Sequence, residues 1–397
     1  MEQAQARTPS SRHVVRTLPS YFPFVTGPAN QARAVSCGLL DYGISTTILT
    51  TDFHAEAAPQ SEVMDGVSIV RLPVRFGFMQ YHVPQGAWKE LLRIHADVFH
   101  IHSYRNFLGD VTSLVARFRK VPTILHLHGT LQGYRHIARP ERHWMYNMYD
   151  KMTSPLPVLR STRIIVSTRE EMNEVDAYGI DRSRVSIIPM GVDSEKYLFR
   201  DLARNPTRIT FVGRLTEDRN VEQLIYALGM LGDLTWSCHI VGGEERRSYA
   251  THLGYTSHLQ QLAHNLGIAD RVFFTGPIYG EVLRRTYAES GIFVYPSLYE
   301  NFGQTILEAA AAGCALVTTR VGVAWDIIQD GVSGFFIERD EPQQLAQHLR
   351  WLLEHPEEQA NMGYTAHSLV QRDFAWPPIL QRYAALYNEL IQEQADC

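Results

Sequence analysis

Cysteine is scarce in this chain of 397 residues: Cys37, Cys238, Cys314 and Cys397 are the only four, and they lie far apart. Without a C-x-x-C pair, neither a structural zinc site nor a disulfide framework is expected, and the usage fits a reducing cytosol. Lysine is scarcer still by proportion. Of 37 basic residues, four are lysine: Lys89, Lys120, Lys151 and Lys196. No apolar run approaches the roughly 18 residues of a membrane-spanning helix. The opening MEQAQARTPSSRHVVRTLPS has arginines but no apolar stretch, so no signal peptide is expected. No G-x-G-x-x-G turn follows a first strand, which argues against a nicotinamide dehydrogenase. There is no Asp-x-Asp triplet, no collagen or coiled-coil repeat, and no basic stripe dense enough for nucleic acid.

What the chain does have is the composition of a soluble globular protein, 45% hydrophobic and 20% charged. Its length suits two to three domains. Charge is divided unevenly. Residues 1–200 hold 23 Lys+Arg against 18 Asp+Glu, whereas residues 201–397 hold 14 against 24. A basic half of this kind suits an anionic membrane or acceptor; it is equally the signature of plain solvated surface.

Short apolar runs alternate with helical patterns along both halves, the signature of βαβ units and an α/β fold with doubly wound parallel sheets. Strands are expected at His13–Leu18, Thr46–Thr50, Val67–Leu72, Val98–His102, Thr123–His128, Arg163–Ser167 and Val185–Pro189, with a helix over Asn30–Asp41. After a polar linker at 196–206, a second series follows. Its strands are Arg208–Val212, Trp236–Val241, Val272–Thr275, Ile292–Tyr295 and Ala315–Thr319. Its helices are Val221–Leu231, Ser257–Leu266, Gln304–Ala312, Leu345–Leu353 and Ile379–Glu393. In open sheets of this type, ligands bind beyond the carboxyl ends of the strands. Residues 129–152 interleave Arg135, Arg139, Arg142 and Lys151 with Tyr134, Trp144, Tyr146 and Tyr149. That mixture suits peripheral contact with a membrane surface, or a sheet-packed helix with snorkelling arginines.

The densest chemistry lies in Tyr295-Pro-Ser-Leu-Tyr-Glu300-Asn301-Phe302-Gly303-Gln304-Thr305-Ile-Leu-Glu308. A strand ends, a loop presents Glu300, and Gly303 opens a helix whose first N–H groups, at Gln304 and Thr305, form an anion site suited to phosphate. Glu308 sits two turns in, among apolar neighbours, where an ionised carboxylate must be satisfied. A ribose diol would do so, because a carboxylate accepts both hydroxyl protons. The plainer alternative is a helix-dipole acid at Glu300 and a core carboxylate at Glu308 paired with an arginine.

Pro-Ser-x-x-Glu-x-Phe-Gly-x-x-x-x-Glu-Ala resembles the donor-site motif of the retaining glycosyltransferases of family 4, which have the GT-B fold of two Rossmann-like domains facing across a cleft. The likeness runs along nearly the whole chain. Val212-Gly-Arg-Leu215, Ile188-Pro-Met-Gly-Val-Asp193, Asp97-Val-Phe-His-Ile-His102 and Leu125-His-Leu-His-Gly129 all fall in the family's order. The resemblance implies an acceptor-side domain over 1–195 and a nucleotide-sugar domain over 207–375. A C-terminal helix over 376–397 would pack back on the first domain. It further implies that Arg214 and Arg219 grip the donor diphosphate, Arg219 standing where the family usually has lysine. Glu300 and Asn301 would meet the donor sugar, the backbone at Phe302–Thr305 would hold sugar and phosphate, and Glu308 the ribose. Gly27, in the loop after the first strand, would lie near the phosphates. His128 matches the histidine that faces the donor sugar, although alternation puts His126 on the same side of its strand. Where the family has Gly-Gly-x-x-Glu, this chain reads Gly322-Val-Ala-Trp-Asp326.

The implied reaction moves a sugar from a nucleotide-diphosphate donor to a hydroxyl of a saccharide or lipid-linked acceptor, in glycan, polysaccharide or glycolipid biosynthesis. It would retain the anomeric configuration and need neither metal nor cofactor. The expected location is the cytoplasm, free or at the inner face of the membrane. A nucleotide-sugar epimerase on the same fold and an inactive sugar-nucleotide-binding protein are the competing readings.

Overall fold

A computed structural model describes residues 12–24, 26–78, 81–131, 143–153, 157–197, 203–244 and 254–396. The first series of apolar runs forms β1 (Arg12–Thr17), β2 (Ile44–Thr51), β3 (Ser61–Met64) and β4 (Val67–Leu72). A separate hairpin follows, β5 (Val74–Phe78) with β6 (Tyr81–Pro84). β7 (Val98–His102), β8 (Thr123–His126), β9 (Arg163–Val166) and β10 (Val185–Ile187) complete the first sheet. Its order is β10-β9-β8-β7-β1-β2-β4-β3, parallel apart from β3.

The second sheet holds β11 (Asn205–Val212), β12 (Ser237–Val241), β13 (Val272–Gly276), β14 (Ser290–Tyr295), β15 (Ala315–Thr318) and β16 (Gly334–Phe336). Its order, β13-β12-β11-β14-β15-β16, is parallel throughout. This is the Rossmann winding, whose direction reverses between β11 and β14 and opens a crevice at their carboxyl ends. The first sheet reverses likewise between β1 and β7. Both sheets are thus α/β layers whose ligand-competent edges are fixed by topology.

The boundaries differ from the sequence expectation in instructive ways. Gly27 lies in no loop. It opens the helix Gly27–Gly38, because Thr26 caps the turn by accepting from the Ala29 N–H at 3.3 Å and Pro28 occupies the first turn. β8 stops at His126, and His128 and Gly129 turn the chain with φ of 53° and 71°. β11 begins at Asn205, inside the stretch read as linker, since its polar first residues overhang the sheet edge. The helices Phe107–Arg119 and Pro356–Asp373 escaped the sequence reading, their apolar stripes being broken by Thr112 and Ser113 in one and by Gln359 and His367 in the other.

The chain crosses between the sheets twice, side by side. Val192 bridges Ala375, and its N–H donates to the Phe374 carbonyl at 2.8 Å. Beyond that point the helix Trp376–Ala395 returns to the first sheet. Ile379, Tyr383, Tyr387 and Leu390 pack there against Val14, Val98, Ile124 and Ile165. Its two buried tyrosines carry hydroxyls into the sheet. Tyr387 accepts from Arg16 Nη2 and meets His100 Nδ1, both at 2.6 Å. Arg16 is fully buried in mid-strand, so this hydroxyl solvates a charge that water cannot reach. Tyr387→Phe should therefore destabilise the protein by about 1–3 kcal/mol. Tyr364→Phe, at an exposed position, should be neutral, with denaturant unfolding as the measurement.

Candidate active site

The carboxyl end of β14 carries the motif. Pro296–Glu300 form a loop that is clamped to the turn Glu217–Arg219 after β11. Leu298 N–H donates to the Asp218 carbonyl at 2.8 Å, and Arg219 Nη1 reaches Ser297 Oγ at 2.9 Å and the Tyr299 carbonyl at 2.6 Å. The same guanidinium, itself buried, meets the partly buried Glu300 at Oε2, 3.0 Å away. Tyr295 donates its hydroxyl to that oxygen at 2.7 Å, and the Asn301 N–H donates to Oε1 at 3.1 Å. Glu300 is thereby fixed in one orientation. Arg219 stands behind it as its counter-charge, while Arg214, at the end of β11, is exposed.

Gly303 begins the helix Gln304–Ala311 with φ 88°, a left-handed conformation, and no side chain caps the start. Its first amides are left available for an anion. Phe302 is buried; its carbonyl accepts from the Val323 N–H at 2.6 Å, which ties the loop to the segment after β15. One turn further on, Glu308 is half-buried. Its partners are hydroxyls rather than the arginine considered from sequence: Tyr287 donates to Oε2 at 3.2 Å, and Tyr197 also bonds it. Burial pushes its carboxyl up to about 7, against the pull of Tyr287, Tyr197 and Gln304. Gln304 Oε1 is buried without a partner among the described residues. A carboxylate, an unpaired carbonyl oxygen and uncapped amides thus share one helix start, and that set can hold a hydroxylated anion.

The first sheet meets this edge. At Gly129 a Cβ would lie 2.6 Å from the Asn301 side chain, so only glycine allows the approach. Asn301 accepts from the Tyr299 hydroxyl at 2.5 Å. The Gly129 N–H donates to Glu171, which also accepts from the Ser167 N–H at 2.7 Å. Next to it, Glu170 accepts from the Gly322 N–H at 2.7 Å, and Asp326 pairs with Arg169 at 3.1 Å. The departure at Gly322–Asp326 is therefore part of the contact between the two sheets' edges. His128 sits at this junction, 8% exposed, with its Nε2 2.8 Å from His102 Nδ1. His126 stacks on it at 3.7 Å and is fully buried, its nitrogens facing Ser167 Oγ at 3.1 Å and the Tyr383 hydroxyl at 3.4 Å. Gly27 lies at the carboxyl side of β1, exposed at the start of its helix.

Comparison with known proteins agrees with this arrangement. The family described as Glycosyltransferase Family 4 matches residues 25–196, and Glycosyl transferases group 1 matches residues 194–368. The chain is a family 4 glycosyltransferase. A D-inositol 3-phosphate glycosyltransferase of Geodermatophilus obscurus is 29% identical over 396 residues, covering 91% of this chain and 84% of the relative. A D-inositol 3-phosphate glycosyltransferase of Catenulispora acidiphila is 26% identical, covering 98% of each chain. In fold, this glycosyltransferase matches sucrose-phosphate synthase of Thermosynechococcus elongatus with a TM-score of 0.75 at 18% identity, over 96% of this chain and 100% of that one. Anabaena HepE in complex with UDP gives a TM-score of 0.75 at 17% identity, over 95% and 100%. The fold is GT-B.

Several groups of the site were not named from sequence. Tyr295 was read only as the end of a strand, although a tyrosine five residues before a loop glutamate is well placed to hydrogen-bond it. Glu170 and Glu171 follow Thr168, which caps their helix by accepting from the Glu171 N–H at 3.1 Å, and acids in a first helical turn are common without any function. Tyr197 and Tyr287 left no local signal. Of residues 129–152, positions 132–142 lie outside the described residues, while His143–Thr153 is a helix that docks through Tyr149 on Asp110 at 2.7 Å and Asp150 on Arg105.

Glu308 gives a pH prediction. Its folded pKa, about 7, lies above the ordinary 4.5, so the folded state holds a proton that the unfolded chain releases. The associated stability is fully present below pH 4.5 and is lost as pH rises to about 7. Unfolding free energy should fall by roughly 1–3 kcal/mol across that interval on this account. Glu308→Gln should flatten that part of the slope and leave the part due to Glu171, which burial pushes up to about 8. An unchanged slope in the variant would contradict the assignment.

Proposed function

We propose that this glycosyltransferase moves a sugar from a nucleotide-diphosphate donor to a hydroxyl acceptor with retention of configuration. The observation that carries the reading is the set around the helix start at Gly303: uncapped amides, the unpaired Gln304 Oε1 and the half-buried Glu308, all at the switch point of the second sheet. In this reading the amides of Gln304 and Thr305 take the diphosphate and Glu308 takes the ribose hydroxyls. Glu300, held by Arg219, Tyr295 and the Asn301 amide, presents a fixed carboxylate to the hydroxyls of the donor sugar. The UDP named in the HepE complex supports a nucleotide donor.

In the proposed reaction the bond from the anomeric carbon to the phosphate oxygen breaks as the acceptor oxygen bonds to the same face. The acceptor proton passes to the departing phosphate oxygen. Negative charge grows on the diphosphate, and Arg214 together with the helix start stabilises it. No step calls on a metal or another cofactor. Contact between the two sheet edges, through Gly129–Asn301 and Glu170–Gly322, encloses the donor and limits hydrolysis.

On the acceptor side, the helix His143–Thr153 exposes Trp144, Met148 and Met152 at 60%, 48% and 70%, a stripe at four-residue spacing. This supports an acceptor met at a membrane surface. No helix among the described residues is long and apolar enough to cross a membrane.

UDP-, GDP- and ADP-sugars, screened by thermal shift, should single out one nucleotide series. A donor at about 100 times its dissociation constant should stabilise by roughly 2.7 kcal/mol. Glu308→Ala should abolish that shift. Failure of every nucleotide sugar to stabilise the folded protein would sink the reading, and a product of inverted configuration would sink its stereochemistry.

A further inference from the structure

Behind His128 lies a buried polar cluster that the transfer chemistry described above does not use. His100, His102, His126 and His128 stack side by side, with Arg16, Tyr383 and Tyr387 packed against them. The first three bring ring nitrogens within 4.8 Å of one another, the spacing of a three-histidine metal site. Arg16 argues against that use. Its Nη1 lies 3.1 Å from His102 Nε2, so a permanent cation already occupies that lone pair.

The same contact fixes where the protons are. A guanidinium donates and never accepts, so His102 Nε2 is bare. Neutral His102 then carries its proton on Nδ1, which lies 2.8 Å from His128 Nε2. That nitrogen must accept, so it is bare too, and neutral His128 carries its proton on Nδ1. Burial keeps both rings neutral: it lowers His102 well below the usual range and, with Arg16 adding to the effect, takes His128 down to about 3. We propose that Arg16 and His102 are positioning residues that hold His128 as an Nδ1–H donor, polarised by the arginine charge through two hydrogen bonds in series. His128 Nδ1 has no partner among the described residues, and the ring sits where Gly129 touches Asn301. It is therefore set to donate to an oxygen of the bound donor, and it cannot act as a base through Nε2. The helix Trp376–Ala395 is part of the device, because Tyr387 holds the second arm of Arg16.

This inference rests on the donor-site reading for its consequence but not for its geometry, and the test separates the two. Full-length protein labelled with 15N-histidine, without ligand, reports each ring's tautomer by long-range proton–nitrogen correlation. His102 and His128 should both show a protonated Nδ1 and a bare Nε2. A proton on His128 Nε2 overturns the proposal whatever the enzyme transfers. The second arm uses whichever sugar nucleotide stabilises the protein. His102→Asn keeps an amide N–H close to the place of Nδ1, and release of nucleoside diphosphate should stay within about 5-fold of the parent. His102→Leu removes the donor, and turnover should fall by about 10–100-fold, as when outer partners of a functional histidine are lost. Affinity for the nucleoside diphosphate should be unchanged in both. Equal losses in the two variants, or a loss of nucleotide affinity matching the loss of rate, would show a structural role only. If no sugar nucleotide stabilises the parent protein, the donor reading fails and the tautomer measurement still decides the relay.

Discussion

The site depends on one buried ion pair. Arg219 and Glu300 meet at 3.0 Å between the turn after β11 and the loop after β14, the two strands that flank the switch point. A lone carboxylate at such a depth would take up a proton or pull the loop toward water. With Arg219 behind it, the Tyr295 hydroxyl on one oxygen and the Asn301 amide on the other, Glu300 is held in one orientation. Breaking one partner of a buried pair usually costs more than the pair itself contributes. Arg219 Nη1 reaches Ser297, Tyr299 and Glu300, three partners on one loop.

The first sheet solves a related problem differently. Arg16 is fully buried in β1, and the groups bonded to it are neutral: a histidine nitrogen and a tyrosine hydroxyl. The tyrosine arrives on the C-terminal helix after the chain has crossed to the second sheet and back. The helix that closes the fold therefore also holds Arg16 beside the histidine stack. The contacts between the sheet edges are short and polar: Gly129 on Asn301, Glu170 on the Gly322 amide, Arg169 on Asp326. Polar contacts of this kind permit relative motion of domains.

Much of this was legible in the sequence, because its strongest signals are local. The strands Val67–Leu72 and Val98–His102 are continuous apolar or alternating runs, and their ends in the structure match those read from the pattern. The motif from Tyr295 to Glu308 carries its strand, loop and helix within fourteen residues, and its spacing alone placed Glu300 in the loop and Glu308 inside the helix. What escaped is what folding assembles from afar. Tyr197 and Tyr287 reach Glu308 from separate segments. Tyr387 reaches Arg16 across 371 positions of sequence. One signal was available and went unused: an arginine inside the apolar run His13-Val-Val-Arg-Thr-Leu18 requires a buried partner.

The position of a bound nucleoside diphosphate decides what this site does. A crystal structure of the protein soaked with the nucleotide that stabilises it best is the most direct test. The expected result is a diphosphate on the backbone amides of Gln304 and Thr305, with the ribose hydroxyls on Glu308 and the Arg219–Glu300 pair intact beside the sugar position. A nucleotide bound elsewhere, with the helix start at Gly303 left bare, would contradict it.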